Sequence, residues 1–196
     1  MLELDGWEGI SVEQKDLEFG CIPAGYEWML RFAKVENIDL TNFQDNCNLR
    51  ESNNLFTVAC VIKKKYPTLN IKIYCNGVEY CGNNFRSTDD ARKYKYIHPR
   101  IRIKNDFRDG SEKVTCIEDL INRQIPCLIS LPTVRIICSQ KVINFHIMPV
   151  VKIDAQKLTL IDYPNKPVEC SRLDVIKYHG KFNGGADIAW LLSLHS

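Results

Sequence analysis

The alternation of hydrophobic and polar positions divides this chain into a helical first part and a strand-rich second part. Apolar residues recur at helical spacing over residues 22–34, and a second helix is predicted over residues 56–64. The polar stretch between them, residues 37–54, predicts a loop. A short helix predicted over residues 114–122 is followed by strand patterns at residues 126–131, 142–153, 158–162 and 189–194. Helices followed by strands are typical of an α+β fold.

The middle of the chain has a different character, because residues 40–112 are polar and basic with few core patterns. Residues 71–80 surround the pair Asn76-Gly77 and predict a β-hairpin. Isoleucines alternate with basic residues over residues 97–104, which predicts an edge strand with a basic outer face. We therefore expect one domain over residues 1–196, with a basic inserted segment at about residues 40–112.

Positive charge is concentrated in that segment, although the net charge of the whole chain is only +2. Residues 86–108 contain eight Lys or Arg against three Asp. A solvated surface is the simpler interpretation of such a run. As a binding surface, it would take an acidic protein partner or nucleic acid. No apolar run approaches the length of a membrane span, so we expect no membrane partner.

The chain contains nine cysteines, a high number for its 196 residues. The count is odd, and the first residues, which are acidic and interrupted by Gly6, do not form a signal peptide. These features favour reduced thiols in a cytoplasmic protein over a disulfide framework. No C-x-x-C pair occurs, so a zinc site at Cys75 and Cys81 is the weaker alternative, and we expect neither a metal nor a cofactor.

Cys21 is the cysteine whose local sequence best suits catalysis. With Gly20 before it and the predicted helix of residues 22–34 after it, the thiol lies at a helix N-terminus. Unpaired backbone N–H groups and the helix macrodipole favour a thiolate there. Gln14 stands seven residues upstream. A nucleophilic thiol also needs a base, and the base needs a residue that orients it.

His146 is the best candidate for that base among four histidines. It lies in a strand pattern, whereas His98 lies among basic residues, His179 at a predicted helix end and His195 near the C-terminus. The next predicted strand ends in Asp162, which is the candidate to orient the imidazole.

The register between these two strands decides whether His146 and Asp162 can meet. If a three-residue loop joins the strands, both side chains lie on one face of the sheet as diagonal neighbours. If a two-residue loop places Ile153 opposite Leu158, they lie on opposite faces unless a β-bulge intervenes, for which Pro149 is a candidate site. The sequence leaves both registers open.

The order of these residues resembles that of the papain-like cysteine peptidases, in particular the bacteriocin-processing type that cleaves leader peptides after a double glycine. The shared pattern is a glutamine, a cysteine that opens a helix, a strand with histidine before apolar residues, and an aspartate and a proline that end the next strand. Its counterparts in this chain are Gln14, Cys21, His146, Asp162 and Pro164. The resemblance covers roughly residues 11–35 and 115–194.

The resemblance implies a papain-like α+β fold, in which an N-terminal helical part carrying the nucleophile packs on a C-terminal antiparallel sheet. It implies that Cys21 is the nucleophile, His146 the general base and acid, and Asp162 the residue that orients the imidazole. Gln14 and the backbone N–H of Cys21 would form an oxyanion hole. The expected function is hydrolysis of a peptide or isopeptide bond in a protein or peptide substrate through a thioester acyl-enzyme.

Two other functions fit the same residues. An acyltransferase or transglutaminase-like enzyme would use the same triad with an amine in place of water. A non-catalytic papain-like binding module would use the basic segment, and it is motivated by Ile22, because the family usually has glycine after the cysteine. Singly, Cys21, His146 and Asp162 have structural interpretations as a buried thiol, a core histidine and a turn former; their joint order favours catalysis.

Overall fold

The computed structural model describes residues 1–15, 20–34, 39–47, 55–75, 102–105, 109–137, 140–177 and 191–195. Within these segments the helices are α1 (Cys21–Phe32), α2 (Phe43–Cys47), α3 (Leu55–Lys65), α4 (Gly110–Asn122) and α5 (Arg172–Lys177). The strands are β1 (Leu2–Glu3), β2 (Asn70–Cys75), β3 (Arg102–Asn105), β4 (Cys127–Ile137), β5 (Gln140–Ile153), β6 (Lys157–Asp162), β7 (Lys166–Ser171) and β8 (Leu191–His195).

The strands of these segments form one sheet in the order β3-β2-β8-β4-β5-β6-β7, with β1 paired to β5. Its described pairings are antiparallel except for the parallel pair of β2 and β3. Together with the helices, this sheet confirms the expected α+β class. None of the described helices is long and apolar enough to span a membrane.

The core is built around β5, because this strand is buried on both faces. Consecutive strand residues point to opposite faces, and Ile147, Met148 and Val150 are all buried. Both α1 and α4 pack against β5. Burial on two sides explains why residues 147–151 are apolar in succession.

Helix α1 is buried over most of its length rather than along a single face. It begins at Cys21, one residue before the predicted helix, and each residue from Cys21 to Leu30 is buried. The reason is that α2, α3 and β5 all pack against α1. Any side chain of α1 near its start is therefore positioned by tertiary contacts as well as by the helix itself.

The described parts of residues 40–112 belong to the same core. Ala59, Ile62 and Ile71 are fully buried, and β2 lies inside the sheet. Both edges of β2 are taken, by β3 and by β8, so this strand is not the first arm of the predicted hairpin. Residues 76–80 lie outside the described part of the chain.

Two further elements of this region, α2 and β3, lie where the sequence predicted a loop and an edge strand. Residues 37–54 were expected to form a loop, but α2 forms there because Phe43 and Cys47 are buried where α2 packs against α1 and α3. The edge strand expected at residues 97–104 corresponds to β3, which ends the sheet. Residues 97–101 lie outside the described segments.

Candidate active site

Cys21 is the first residue of α1, as the sequence predicts. Gly20 before it has no side chain to cap the first backbone N–H groups, and the first turn of α1 carries no acidic residue. The partial positive charge of this helix end therefore favours a negative group such as a thiolate. Cys21 is buried, with 7% of its surface exposed.

His146 of β5 and Asp162 of β6 are in contact, which confirms that the two side chains meet. Nε2 of His146 lies 2.8 Å from Oδ1 of Asp162, a hydrogen-bonding distance. The histidine side chain is 14% exposed and the aspartate side chain 42%, so the pair lies at the boundary between core and solvent. When Nε2–H donates to Asp162, the lone pair of the neutral imidazole is on Nδ1, which can then act as a base.

The turn between β5 and β6 does not produce this contact by itself. Ile153 lies opposite Leu158, which is the register of the two-residue loop. Continued unchanged along both strands, that register would put His146 and Asp162 on opposite faces of the sheet, because side chains alternate between faces.

A β-bulge in β5 restores the shared face. Lys152 lies opposite Thr159, whereas two residues earlier in β5, Val150 lies opposite Leu160, only one residue further along β6. Because of this extra residue, the side chains of β5 that precede the bulge point to the opposite face from the one they would have in the unbulged register. His146 therefore shares a face of the sheet with Asp162. The bulge lies between Val150 and Lys152 and not at Pro149, the site that the sequence suggested.

Tyr163 connects the histidine–aspartate pair to the helix end at Cys21. Its hydroxyl oxygen lies 3.1 Å from the carbonyl oxygen of Ile147 and 3.4 Å from that of Cys21. Its ring meets the ring of His146 edge-on at 5.9 Å between centroids, and its backbone N–H donates to Asp162 Oδ1 at 2.9 Å. Burial of the hydroxyl, and then the neighbouring Cys21 and Asp162, raise the pKa of Tyr163, so it remains a neutral donor.

Gln14 lies in the irregular segment before α1, and its side chain is exposed. The peptide groups on both sides of it are held by Gln44, which accepts from the Lys15 N–H at 3.0 Å and donates to the Glu13 carbonyl oxygen at 2.6 Å. Residues 16–19, which lead from this segment to α1, are outside the described residues.

Sequence reasoning did not single out Tyr163, which contacts the histidine–aspartate pair, or Gln44, which holds the backbone on both sides of Gln14. Tyr163 was visible only as the residue that follows Asp162, just after the strand predicted over residues 158–162. Gln44 had no signal at all, because it lies in a polar stretch where periodicity predicts a loop. Both residues act through contacts between segments that are distant in the sequence, and a local sequence pattern cannot predict such contacts.

Gly25 lets α1 approach β4 and Tyr163 closely. A Cβ atom at this position would lie 2.8 Å from a methyl carbon of Leu128 and 2.9 Å from the Tyr163 hydroxyl oxygen. We expect Gly25→Ala to lower the free energy of unfolding by about 1–2 kcal/mol, because overpacking outweighs the gain of about 1 kcal/mol in helix propensity. Urea denaturation followed by circular dichroism measures this difference.

Gly9→Ala is the matched control, because a Cβ atom at Gly9 would meet nothing within 4 Å. We expect that variant to stay within about 0.5 kcal/mol of the original protein. If Gly25→Ala were as stable as Gly9→Ala, the close approach of α1 to Leu128 and Tyr163 would be refuted.

Cys47, Cys127 and Cys170 are poor nucleophiles. Burial is the main cause that raises the pKa of Cys47 to about 12 and that of Cys170 to about 11. Burial also raises the pKa of Cys127. These thiols are therefore protonated at neutral pH.

The zinc alternative and the basic surface concern residues that are mostly not described. Cys81 and residues 86–101 lie outside the described segments. Within those segments, no three His, Cys, Asp or Glu side chains gather in a way that suits a metal ion.

The fold and the site together define an α+β protein in which a cysteine begins a helix, a histidine–aspartate pair lies on neighbouring strands, and Tyr163 contacts both. Comparisons with protein-family models, with curated proteins and with solved structures gave no match.

Proposed function

We propose that this chain is a papain-like cysteine peptidase that hydrolyses a peptide or isopeptide bond. The observation that carries the proposal is the 2.8 Å contact of His146 Nε2 with Asp162 Oδ1. Tyr163 links this pair to the start of α1, because its hydroxyl oxygen lies 3.4 Å from the Cys21 carbonyl oxygen. A thiol, a base and a residue that orients the base are the groups that covalent catalysis by cysteine requires.

In the first half-reaction, the Cys21 thiolate attacks the carbonyl carbon of the scissile bond and forms a carbon–sulfur bond. The carbonyl oxygen becomes an oxyanion, which accepts hydrogen bonds from the Gln14 side-chain amide and the Cys21 backbone N–H. The protonated His146 then gives its proton to the leaving nitrogen as the carbon–nitrogen bond breaks. The amine departs, and the acyl group remains on sulfur as a thioester.

In the second half-reaction, the neutral His146 removes a proton from water while the water oxygen attacks the thioester carbonyl carbon. The carbon–sulfur bond breaks, the carboxylic acid product leaves, and Cys21 is again a thiolate beside protonated His146. Asp162 accepts from Nε2–H throughout, so that Nδ1 remains the nitrogen that exchanges the proton.

The proposed compartment is the cytoplasm. Cys47, Cys127 and Cys170 are thiols rather than members of disulfides. Thiols persist in compartments that are kept reducing, which supports the cytoplasmic assignment.

The proposal predicts that Cys21 reacts with iodoacetamide at pH 6 at least about 100-fold faster than Cys47 or Cys170. The helix end and His146 favour the Cys21 thiolate, whereas pKa values of about 12 and about 11 keep the other two thiols protonated. Between pH 6 and 9, labelling of Cys170 should rise about tenfold per pH unit, while labelling of Cys21 stays nearly constant. Timed labelling followed by mass spectrometry of the peptides measures each rate.

The control for this experiment is the same chain unfolded in urea, in which the three cysteines should react at similar rates. Equal rates in the folded protein would contradict an activated thiolate at Cys21. A Cys21 rate that rose tenfold per pH unit would contradict it as well, because the thiol would then have an ordinary pKa.

A further inference from the structure

Gln44 of α2 binds the backbone on both sides of Gln14. The Lys15 N–H donates to Gln44 Oε1 at 3.0 Å, and Gln44 Nε2 donates to the Glu13 carbonyl oxygen at 2.6 Å. Gln44 is buried, with only 4% of its surface exposed. A buried amide that uses both its oxygen and its nitrogen on one short backbone segment restrains the orientation of that segment.

The same amide ties the Gln14 segment to the helix of Cys21. Gln44 Nε2 also donates at 2.9 Å to Oε2 of Glu27, a buried residue of α1. The other oxygen of Glu27 accepts from Arg31 Nε at 2.9 Å and from Arg31 Nη2 at 2.6 Å. A carboxylate that is hydrogen-bonded on both oxygens is held in a single orientation. Because a carboxylate only accepts hydrogen bonds, the Gln44 amide must turn its nitrogen toward Glu27 of α1.

We propose that Gln44 is a positioning residue that holds Gln14 in place relative to Cys21; this inference rests on the proposed peptidase function. Besides the covalent chain, the hydrogen bond of Gln44 to Glu27 is a direct connection between the Gln14 segment and α1. An oxyanion hole acts only when its donors are preorganised where the charge develops, so a small displacement of Gln14 slows the reaction. Gln44 acts through Gln14 and does not contact the substrate.

The test compares the unchanged chain with Gln44→Met, a variant that keeps the length of the side chain but loses its hydrogen bonds to Lys15, Glu13 and Glu27. Two probes separate oxyanion stabilisation from thiolate reactivity: p-nitrophenyl acetate acylates Cys21 through an oxyanion, whereas iodoacetamide alkylates it without one. We expect Gln44→Met to lower the acylation rate constant by about 10-fold to 100-fold and to leave alkylation within about twofold. The Cys21→Ala variant supplies the background from the remaining cysteines.

A double variant tests whether Gln44 acts through Gln14. Gln14→Ala alone should lower the acylation rate constant by about 100-fold or more. Adding Gln44→Met to Gln14→Ala should cause little further loss, because the group that Gln44 positions is already absent. Losses that multiply would overturn the inference, and so would a parallel fall in alkylation, which indicates general damage to the fold.

Gln124→Met is the matched control for Gln44→Met. Gln124 accepts from the Asp5 N–H at 2.8 Å and donates to the Glu3 carbonyl oxygen at 2.9 Å. These two bonds flank Leu4 as the two backbone bonds of Gln44 flank Gln14. Both rate constants should be unchanged in this variant. A fall in acylation equal to that of Gln44→Met would overturn the specific role of Gln44.

Hydrogen exchange gives a readout that does not depend on activity. The Lys15 amide, which donates to Gln44 Oε1, should exchange faster in Gln44→Met, and unchanged exchange would overturn the inference. If the unchanged chain is not acylated at Cys21, the proposed function fails and the inference fails with it. If the unchanged chain is acylated normally and Gln44→Met is acylated equally fast, the inference alone fails.

Discussion

The Cys21→Ala variant is expected to lose peptide hydrolysis by about 10⁴-fold or more and to form no acyl-enzyme. Alanine preserves the start of α1 but removes the sulfur that forms the thioester. Hydrolysis is measured on a mixed peptide library, and the acyl-enzyme is measured as an acetyl adduct at residue 21 after reaction with p-nitrophenyl acetate.

Cys170→Ala is the control for this variant, because Cys170 is a partly buried thiol of β7 with a raised pKa. Its hydrolytic activity should be within about twofold of the unchanged chain. Full biological function in the Cys21→Ala variant would contradict the proposed peptidase function and would indicate a non-catalytic binding module. Amide products formed with added amines in preference to acid products would indicate the acyltransferase.

Asp162→Asn is expected to lower kcat by about 10²-fold to 10⁴-fold. An asparagine oxygen can still accept from the Tyr163 N–H, so the local backbone is retained. What is lost is the negative charge beside His146 Nε2, and with it the stabilisation of the protonated ring. Steady-state hydrolysis and the rate of acylation at Cys21 measure this loss.

Asp154→Asn is the matched control for Asp162→Asn. Asp154 lies at the turn between the same two strands, and its Oδ1 accepts from the backbone N–H groups of Gln156 at 2.8 Å and Lys157 at 2.9 Å. The variant should keep kcat within about threefold, because it alters the turn without removing the charge beside His146. Equal losses in the two variants would contradict a special role for the carboxylate at Asp162.

The helix that carries the candidate nucleophile shows how much local pattern can predict. The apolar period over residues 22–34 predicts α1 to within two residues at either end, since the spacing of side chains around a helix is a local property. Helix α4 was expected to begin later than it does. Its start at Gly110 is determined by Asp109, whose side chain accepts two backbone N–H groups of the first turn.

Strand β2 shows where a local signal misleads. Asn76-Gly77 is a strong hairpin pair, and it led to the expectation of a partner strand immediately after residues 71–75. The actual partners, β3 and β8, come from distant parts of the chain. They pair there because Ile71 and Ile73 are fully buried, so β2 has to lie inside the sheet rather than in an isolated hairpin.

By itself, the sequence determined the α+β class, the start of a helix at Cys21, and the placement of His146 and Asp162 on neighbouring strands. Each of these depends on residue period and close neighbours. Only the tertiary structure decided that His146 and Asp162 share a face, since one extra residue in β5 reverses the direction of the side chains before it. Only the tertiary structure brought Gln44 to the backbone beside Gln14, because that contact joins segments whose pairing depends on packing around α1.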